Sequence, residues 1–467
     1  MFEIQGKYNK AKVFATTVEN ECISQITEMC NQKWLKDCQI AIMPDTHAGK
    51  GATIGTTIKL KDKVSPSLVG VDISCGMLIV EIPDCLKLDL EKIDKFINDY
   101  IPAGFEVNKE KSKEINYCFI NKLKCFDKLK HIEHIEKSLG SLGGGNHFLE
   151  INESNNGKRY LVVHSGSRNL GKQVADIYQN LADEHCNNTK LKRDSLRKEL
   201  VKELKDQGRQ QEIQKALEKF DRKNTEKKLL AHDLCYLEGQ DMKDYLHDCL
   251  ICNRYASLNR RIIVQRILDF IVKDNGYKNC AVWIDEYQAH QFEFGFENNQ
   301  IDIRSYGWET IHNYIGDDNI LRKGAISAQQ GEKVIIPINM RDGSIIAIGK
   351  GNPDYNYSGP HGAGRLMSRK TAKDSITLKD FEDTMKSVYT SSVCQSTVDE
   401  SPMAYKGIDD ILENIADSVE VLDIIKPIYN FKAHKKTNKS LKFGFKICIC
   451  FFYLGKGERT LPISMGR

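Results

Sequence analysis

Proline and tryptophan are scarce in this chain, with ten and three residues in 467. So few prolines exclude a proline-rich linker or a stiff polyproline spacer. No apolar run approaches the roughly 20 residues of a membrane span, and no secretory leader is legible at the start. Neither a membrane protein nor a secreted one is therefore expected. Excess charge of one sign is also missing. Lys and Arg number 68 against 64 Asp and Glu, a formal net charge of +4. That excludes a basic nucleic-acid coat and leaves any RNA or DNA contact to a local patch. Cysteine is plentiful instead: fifteen, an odd number scattered without a repeating spacing. Such usage fits free thiols in a reducing, cytoplasmic setting better than a disulfide framework.

The remaining composition, 28% charged and 40% hydrophobic, is that of an ordinary globular protein with a large core. Short strand-like runs fill the first 170 residues: Gln39–Met43, Leu78–Ile82 and Tyr160–Val163, each ending near polar residues. From about Gly171 to Leu268 the pattern turns helical. Leu196, Leu200 and Leu204, then Ile213, Leu217 and Phe220, recur at helical spacing between dense charges, with Gly208 between the runs. A charged helical hairpin inserted over about 172–268 is expected, its charges forming a solvated face. Strands return near Cys280, and Arg341-Asp342-Gly343-Ser344 is a hairpin turn between Val334–Pro337 and Ile345–Ile348. The segment 434–467, with its lysine-rich start and the apolar run Ile447–Tyr453, reads as an extension outside the fold.

Ser358-Gly359-Pro360-His361-Gly362-Ala363-Gly364-Arg365 carries the strongest chemical signal. Glycines beside a histidine let backbone N–H groups approach anionic oxygens, and an arginine four positions on suits phosphate. Histidine can act as nucleophile, base or ligand. Four further segments have the look of metal ligation: Asp72-Ile73-Ser74-Cys75, Gly143-Gly144-Gly145-Asn146-His147, His164-Ser165-Gly166-Ser167-Arg168 and His312-Asn313. One Asp, one Cys and three His exceed a single open tetrahedral zinc site, so two metals sharing the thiolate fit the ligand count better. Manganese, cobalt and zinc all remain open on ligand type. Two cations beside a nucleophilic histidine suit phosphoryl or nucleotidyl transfer. Cys249-Leu250-Ile251-Cys252, by contrast, has no second pair at zinc-finger spacing and reads as helix packing.

These segments, with Met43-Pro44-Asp45-Thr46-His47, Gly145-Asn146-His147-Phe148-Leu149-Glu150 and Arg322-Lys323-Gly324-Ala325, resemble the RtcB family of RNA-splicing ligases in content and order. The resemblance implies one large α+β domain over 1–433 with a metal and nucleotide cleft. It implies a ligase dependent on GTP and Mn²⁺, joining an RNA 3′-phosphate or 2′,3′-cyclic phosphate to a 5′-hydroxyl in tRNA splicing or RNA repair. By similarity, Asp72, Cys75 and His147 would hold one ion, and Cys75, His164 and His312 the other. His361 would become guanylylated. The nucleotide would contact Asn146, His147, Phe148, Leu149, Glu150, His312, Asn313, Pro337, Ile338, Asn339, Met340, Ser344, His361, Gly362, Ala363, Gly364 and Lys432. Arg168 and Arg365 would bind the RNA, and some members of the family work with an activator called archease. Ile338-Asn339 departs from the small Gly-Ser pair often found there, and Ser358-Gly359-Pro360 from the usual lead-in to the histidine. Two rival readings stay open: a metal-dependent RNA-end phosphoesterase without productive ligation, and an RNA-binding protein without turnover.

Overall fold

The computed structural model describes residues 1–187, 189–224, 230–278, 280–284 and 303–434. Two antiparallel-rich sheets organise them. The larger has eight strands in the order Cys280–Ile284, Ile303–Ile311, Gly76–Ile82, Arg159–Ser165, Phe148–Glu153, Val419–Phe431, Gly343–Gly349 and Lys333–Asn339. Only its first pair is parallel. The smaller runs Phe2–Gln5, Lys10–Val13, Gln39–His47, Ile54–Lys59, Ile320–Lys323 and Tyr314–Ile315. The expected hairpin forms, with Pro337 opposite Ser344 and a register irregularity between Pro337 and Asn339. Asn339 makes that turn: its side-chain oxygen accepts from the Arg341 and Asp342 N–H groups. An α+β fold results, and Met1–His434 form one compact unit.

The helical stretch expected as an insertion divides into two kinds of helix, which corrects its boundaries. Thr189–Asp206 and Ile213–Asn224 do form a hairpin, turning near Gly208 at φ 71 and joined by an Arg197–Asp221 ion pair of 2.8 Å. The flanking helices belong to the core. Arg168–Asn187 buries Leu170, Val174, Tyr178 and Ala182 on one face. Gly239–Asp274 spans 36 residues, about 54 Å at 1.5 Å per residue. Its Ile263, Val264, Ile267 and Ile271 join Leu78, Val80, Leu161 and Val163 of the large sheet in one apolar cluster. Periodicity alone did not separate these helices from the hairpin, because all of them interleave apolar and charged residues. Cys249 and Cys252 are buried in this helix, as packing residues. The extension expected over 434–467 lies, beyond His434, outside the described residues.

Polar side chains of the long helix tie down the loops that carry the site. Asn259, fully buried, accepts from the Gly140 and Ser141 N–H groups and donates to Ser165 Oγ at 2.9 Å. Asp248 accepts from the Lys124 and Cys125 N–H groups and from the Tyr178 hydroxyl. Arg260 donates to the Ser74 and Ser165 carbonyls and pairs with Glu309 at 3.2 Å. Loop backbone so buried needs these partners. Asn259→Ala strands two N–H groups and is expected to cost about 2–4 kcal/mol in chemical denaturation, since each orphaned donor carries its desolvation penalty. A loss within experimental error would show that the loop finds other partners.

Candidate active site

Strand register builds the site. Gly76 pairs with Ser165, Met77 and Phe148 with His164, and Ile311 with Gly76. In an antiparallel sheet, neighbouring strands begin and end alternately at one edge. Cys75 and His147 stand just before their strands, His164 near the end of its own, and His312 just after Ile303–Ile311. All four therefore meet at one edge. Cys75 Sγ lies 3.2 Å from His164 Nε2 and 3.3 Å from His147 Nε2, which is 3.0 Å from Asp72 Oδ2. Backbone bonds stitch the loops together: the Ser74 N–H donates to Asn313 O, and the His312 N–H to Cys75 O.

Two donor sets share the thiol. Cys75, His164 and His312 form one, and Asp72, Cys75 and His147 the other, with donor atoms within 4.8 Å of one another in each. His147 Nδ1, 2.9 Å from Leu142 O, donates there and leaves Nε2 for a cation. Asp72 Oδ1, His164 Nδ1 and His312 Nδ1 are buried with no hydrogen-bond partner among the described residues, a state that buried polar atoms seldom tolerate. Burial and neighbouring cationic groups hold His164 and His312 well below the ordinary histidine range. Both are thus neutral, as ligation requires. Burial, reinforced by Asp72, pushes the Cys75 thiol well above its usual value. Burial would also raise Asp72, but its hydrogen bond and charge interaction with His147 outweigh that and keep it low. The donor chemistry and the orphaned atoms fit a pair of cations.

Two glycines give the cluster room. A Cβ on Gly166 would fall 2.3 Å from Asp72 Oδ1. One on Gly143, at φ +89, would fall 1.8 Å from Arg168 Nη1 and 2.6 Å from His147 Nδ1. Any side chain at either position would displace a site residue.

His361 follows the short strand Ser358–Pro360, which pairs with Ala325–Ser327. Its Nδ1 lies 2.7 Å from Oδ2 of Asp45, and the same oxygen accepts the His361 N–H at 3.2 Å. Asp45 is fully buried, where the pairing of Gln39–His47 with Ile54–Lys59 breaks register between Ile42 and His47. With Nδ1 donating to Asp45, the lone pair of His361 resides on Nε2. The ring centroid is 4.9 Å from that of His312, so this nitrogen belongs to the neighbourhood of the donor cluster.

A cleft of about 670 Å³ opens over these histidines. It is lined by Asn146, Phe148, Glu150, His164, His312, Asn313, Pro337, Ile338, Asn339, Met340, His361, Gly362, Ala363, Gly364, Arg365 and Lys432. Burial raises the Glu150 carboxyl to about 7, against hydrogen bonds from Asn430 and Asn152 and the charge of Lys432. Lys432 Nζ is 2.8 Å from Glu400 and 5.5 Å from the Phe148 ring centroid. Burial would raise Glu400, yet Lys432 and Arg369 bring it down to about 2. Arg365 is fastened to the Tyr405 hydroxyl, Asp399 O and Met367 O.

Four of the expected contact residues, His147, Leu149, Ser344 and Arg168, lie outside the cleft lining. Leu149 alternates with Phe148 and Glu150 along its strand, so its side chain packs into the apolar cluster with Leu78 and Val163. Ser344 is fully buried in the hairpin, outside the cleft lining. Arg168, at φ 58, donates to Ser141 Oγ and Gly104 O beside the Asp72–His147 end of the cluster. Asp72 and Cys75 also lie outside the cleft lining. Ile338 turns its side chain into a separate apolar cluster. Asp45, Glu400 and Tyr405 went unassigned from sequence. Asp45 stood inside a quoted motif, but nothing local shows that it faces a residue 316 positions away.

The geometry defines an α+β protein whose buried Asp–Cys–His cluster adjoins a histidine held by a carboxylate. A family model described as "tRNA-splicing ligase RtcB" matches residues 25–433. "RNA-splicing ligase RtcB" of Escherichia coli K12 is 29% identical over 416 residues, covering 83% of this chain and 88% of that protein. "tRNA-splicing ligase RtcB" of Nanoarchaeum equitans is 25% identical, covering 80% and 83%. Its namesake in Methanococcus maripaludis is 24% identical, covering 91% and 93%. The chain belongs to the RtcB family.

The lowered His164 and His312 values predict how metal-free protein responds to acid. Its unfolded chain takes up protons near the ordinary value of 6.5, whereas the folded chain refuses them at these two rings. Stability should therefore fall as the pH drops below 6.5. Thermal unfolding across that range should show a shallower slope in a His164→Gln/His312→Gln variant. An equal slope would assign the acid sensitivity to other groups.

Proposed function

We propose that this protein is a GTP-dependent RNA ligase. It joins RNA ends bearing a 3′-phosphate or 2′,3′-cyclic phosphate to 5′-hydroxyl ends through a guanylyl-histidine, in tRNA splicing or RNA repair. The observation that carries this reading is the pair His361–Asp45, in which the carboxylate holds Nδ1 and leaves Nε2 free for chemistry, at a cleft beside a metal-capable cluster. Family membership supports it, as do the names of the relatives.

His361 Nε2 attacks the α-phosphorus of GTP. A P–N bond forms, and the P–O bond to the leaving pyrophosphate breaks. Asp45 keeps the proton on Nδ1 and offsets the positive charge that develops on the ring. An oxygen of the RNA 3′-phosphate then attacks the same phosphorus and returns His361 to its free state. The 5′-hydroxyl finally attacks the activated 3′-phosphorus and expels GMP. A cyclic end is first opened by water to the 3′-phosphate. Activation is needed because a phosphate monoester is a poor electrophile towards an alcohol.

Two cations, manganese in this reading, would be held by Asp72, Cys75 and His147 and by Cys75, His164 and His312. When bound, they neutralise charge on the reacting phosphate oxygens. Glu150 accepts hydrogen bonds from the guanine base, and Lys432 serves its carbonyl edge. Asn146, Phe148, Pro337–Met340 and the Gly362–Gly364 backbone surround the nucleotide, while Arg168 and Arg365 hold RNA phosphates. A reducing, cytoplasmic setting suits a mechanism that needs the Cys75 thiol unoxidised. No helix among the described residues is long and apolar enough to cross a membrane.

Purified protein incubated with Mn²⁺ and GTP labelled at the α-phosphate should give an acid-labile labelled band on a denaturing gel. His361→Ala and Cys75→Ala should abolish it. Asp45→Asn, which upsets the ring's proton placement, should slow labelling by at least about tenfold. Label retained in His361→Ala, or none in metal-loaded native protein, would overturn the proposal.

A further inference from the structure

Among the described large apolar side chains Phe105 is the most exposed, at 99%. It does not sit at the tip of a loose loop. The Gly104 N–H donates to Gly143 O at 2.9 Å, the Leu142 N–H to Pro102 O at 2.8 Å, and the Glu106 N–H to Ala103 O at 3.2 Å. Arg168 Nη2 donates to Gly104 O at 3.0 Å. The backbone before the ring is therefore fixed to the segment Leu142–Gly143 that leads to His147, and a local turn from Ala103 holds Glu106 after it. Gly143 is the shared neighbour, since a Cβ there would strike both Arg168 Nη1 and His147 Nδ1. An unshielded aromatic side chain thus projects from backbone that accepts a hydrogen bond from the Arg168 guanidinium, at the Asp72–His147 end of the cluster. It lies outside the lining of the nucleotide cleft.

Exposing a phenylalanine completely forgoes its whole burial energy. A fixed backbone also lowers the ordering cost that binding would otherwise carry. Single-stranded RNA ends are recognised by this pairing: an aromatic face for the base and an arginine for the phosphate. We propose that Phe105 is a stacking platform for the terminal base of the RNA, positioning its phosphate at Arg168 and the adjacent cluster. This rests on the RNA-ligase reading above and adds to it a residue that positions the RNA end. A protein partner is the less favoured occupant, because a lone ring offers no wider apolar patch.

The test uses the full chain with Mn²⁺, without GTP, and a short single-stranded RNA bearing a 3′-phosphate. A fluorescent adenine analogue, 2-aminopurine, occupies its last position. Stacking on Phe105 predicts quenching on binding. Phe105→Ala and Phe105→Leu should lose the quenching and raise Kd about tenfold, within the range for one base on an aromatic ring. Phe105→Trp should keep both. Unfolding temperatures should not change, because a ring 99% exposed packs on nothing. Phe105→Leu binding with native affinity and native quenching would overturn the proposal and leave the ring to a protein contact. If native protein accepts the guanylyl label but binds this RNA without quenching, only the stacking role falls. If it neither accepts the label nor binds the RNA, the ligase reading fails and takes this inference with it.

Discussion

One thiol, Cys75, sits where four antiparallel strand ends converge, and the rest of the site is arranged around it. Its sulfur is within 3.3 Å of two histidines and belongs to both donor sets. Such closeness needs strands in strict register, because a slip of one residue turns every side chain to the opposite face. It also needs glycine at Gly166 and Gly143, where the chain passes within van der Waals contact of Asp72 and Arg168. The buried polar cluster is a local liability in the absence of cations. Orphaned nitrogens, suppressed histidine protonation and an undissociated thiol all burden the metal-free fold.

The long helix Gly239–Asp274 offsets that liability. Most of its buried residues are apolar, but Asn259, Arg260 and Asp248 bind loop backbone. Arg260 reaches the carbonyls of Ser74 and Ser165, the residues adjoining Cys75 and His164. A buried ion pair such as Arg260–Glu309 is weak support for stability in itself. Its value here lies in fixing direction, since one guanidinium holds two ligand-bearing segments at once. The second sheet makes the corresponding contribution for His361. Its register break at Asp45 turns a carboxylate out of the ladder and onto the imidazole.

Much of this was legible in the residues themselves. The donor types, the glycine surroundings and the turn at Arg341–Ser344 are local signals, and the structure brings all five expected ligands together. Contacts set by distant pairing were not legible. No local pattern joins Asp45 to His361 or Glu400 to Lys432; the first depends on a register break within a strand and the second on a short turn packed against the end of Val419–Phe431. Strand parity explains Leu149: a motif gives a contiguous run of letters, yet alternate residues face opposite ways. The same blindness to burial merged a core helix with a charged hairpin over 172–268. Period-3.6 patterning marks a helix without saying how deep it lies.

The central claim is a two-cation centre built on Cys75 beside His361. Titration of metal-free protein with Co²⁺, followed by optical absorption, tests it directly, because thiolate ligation of Co²⁺ produces a charge-transfer band. The account predicts two equivalents bound with that band present. Cys75→Ala should lose the band, and Asp72→Ala and His312→Ala should each lose one equivalent. A single equivalent bound without a thiolate band, or two equivalents indifferent to Cys75→Ala, would contradict it.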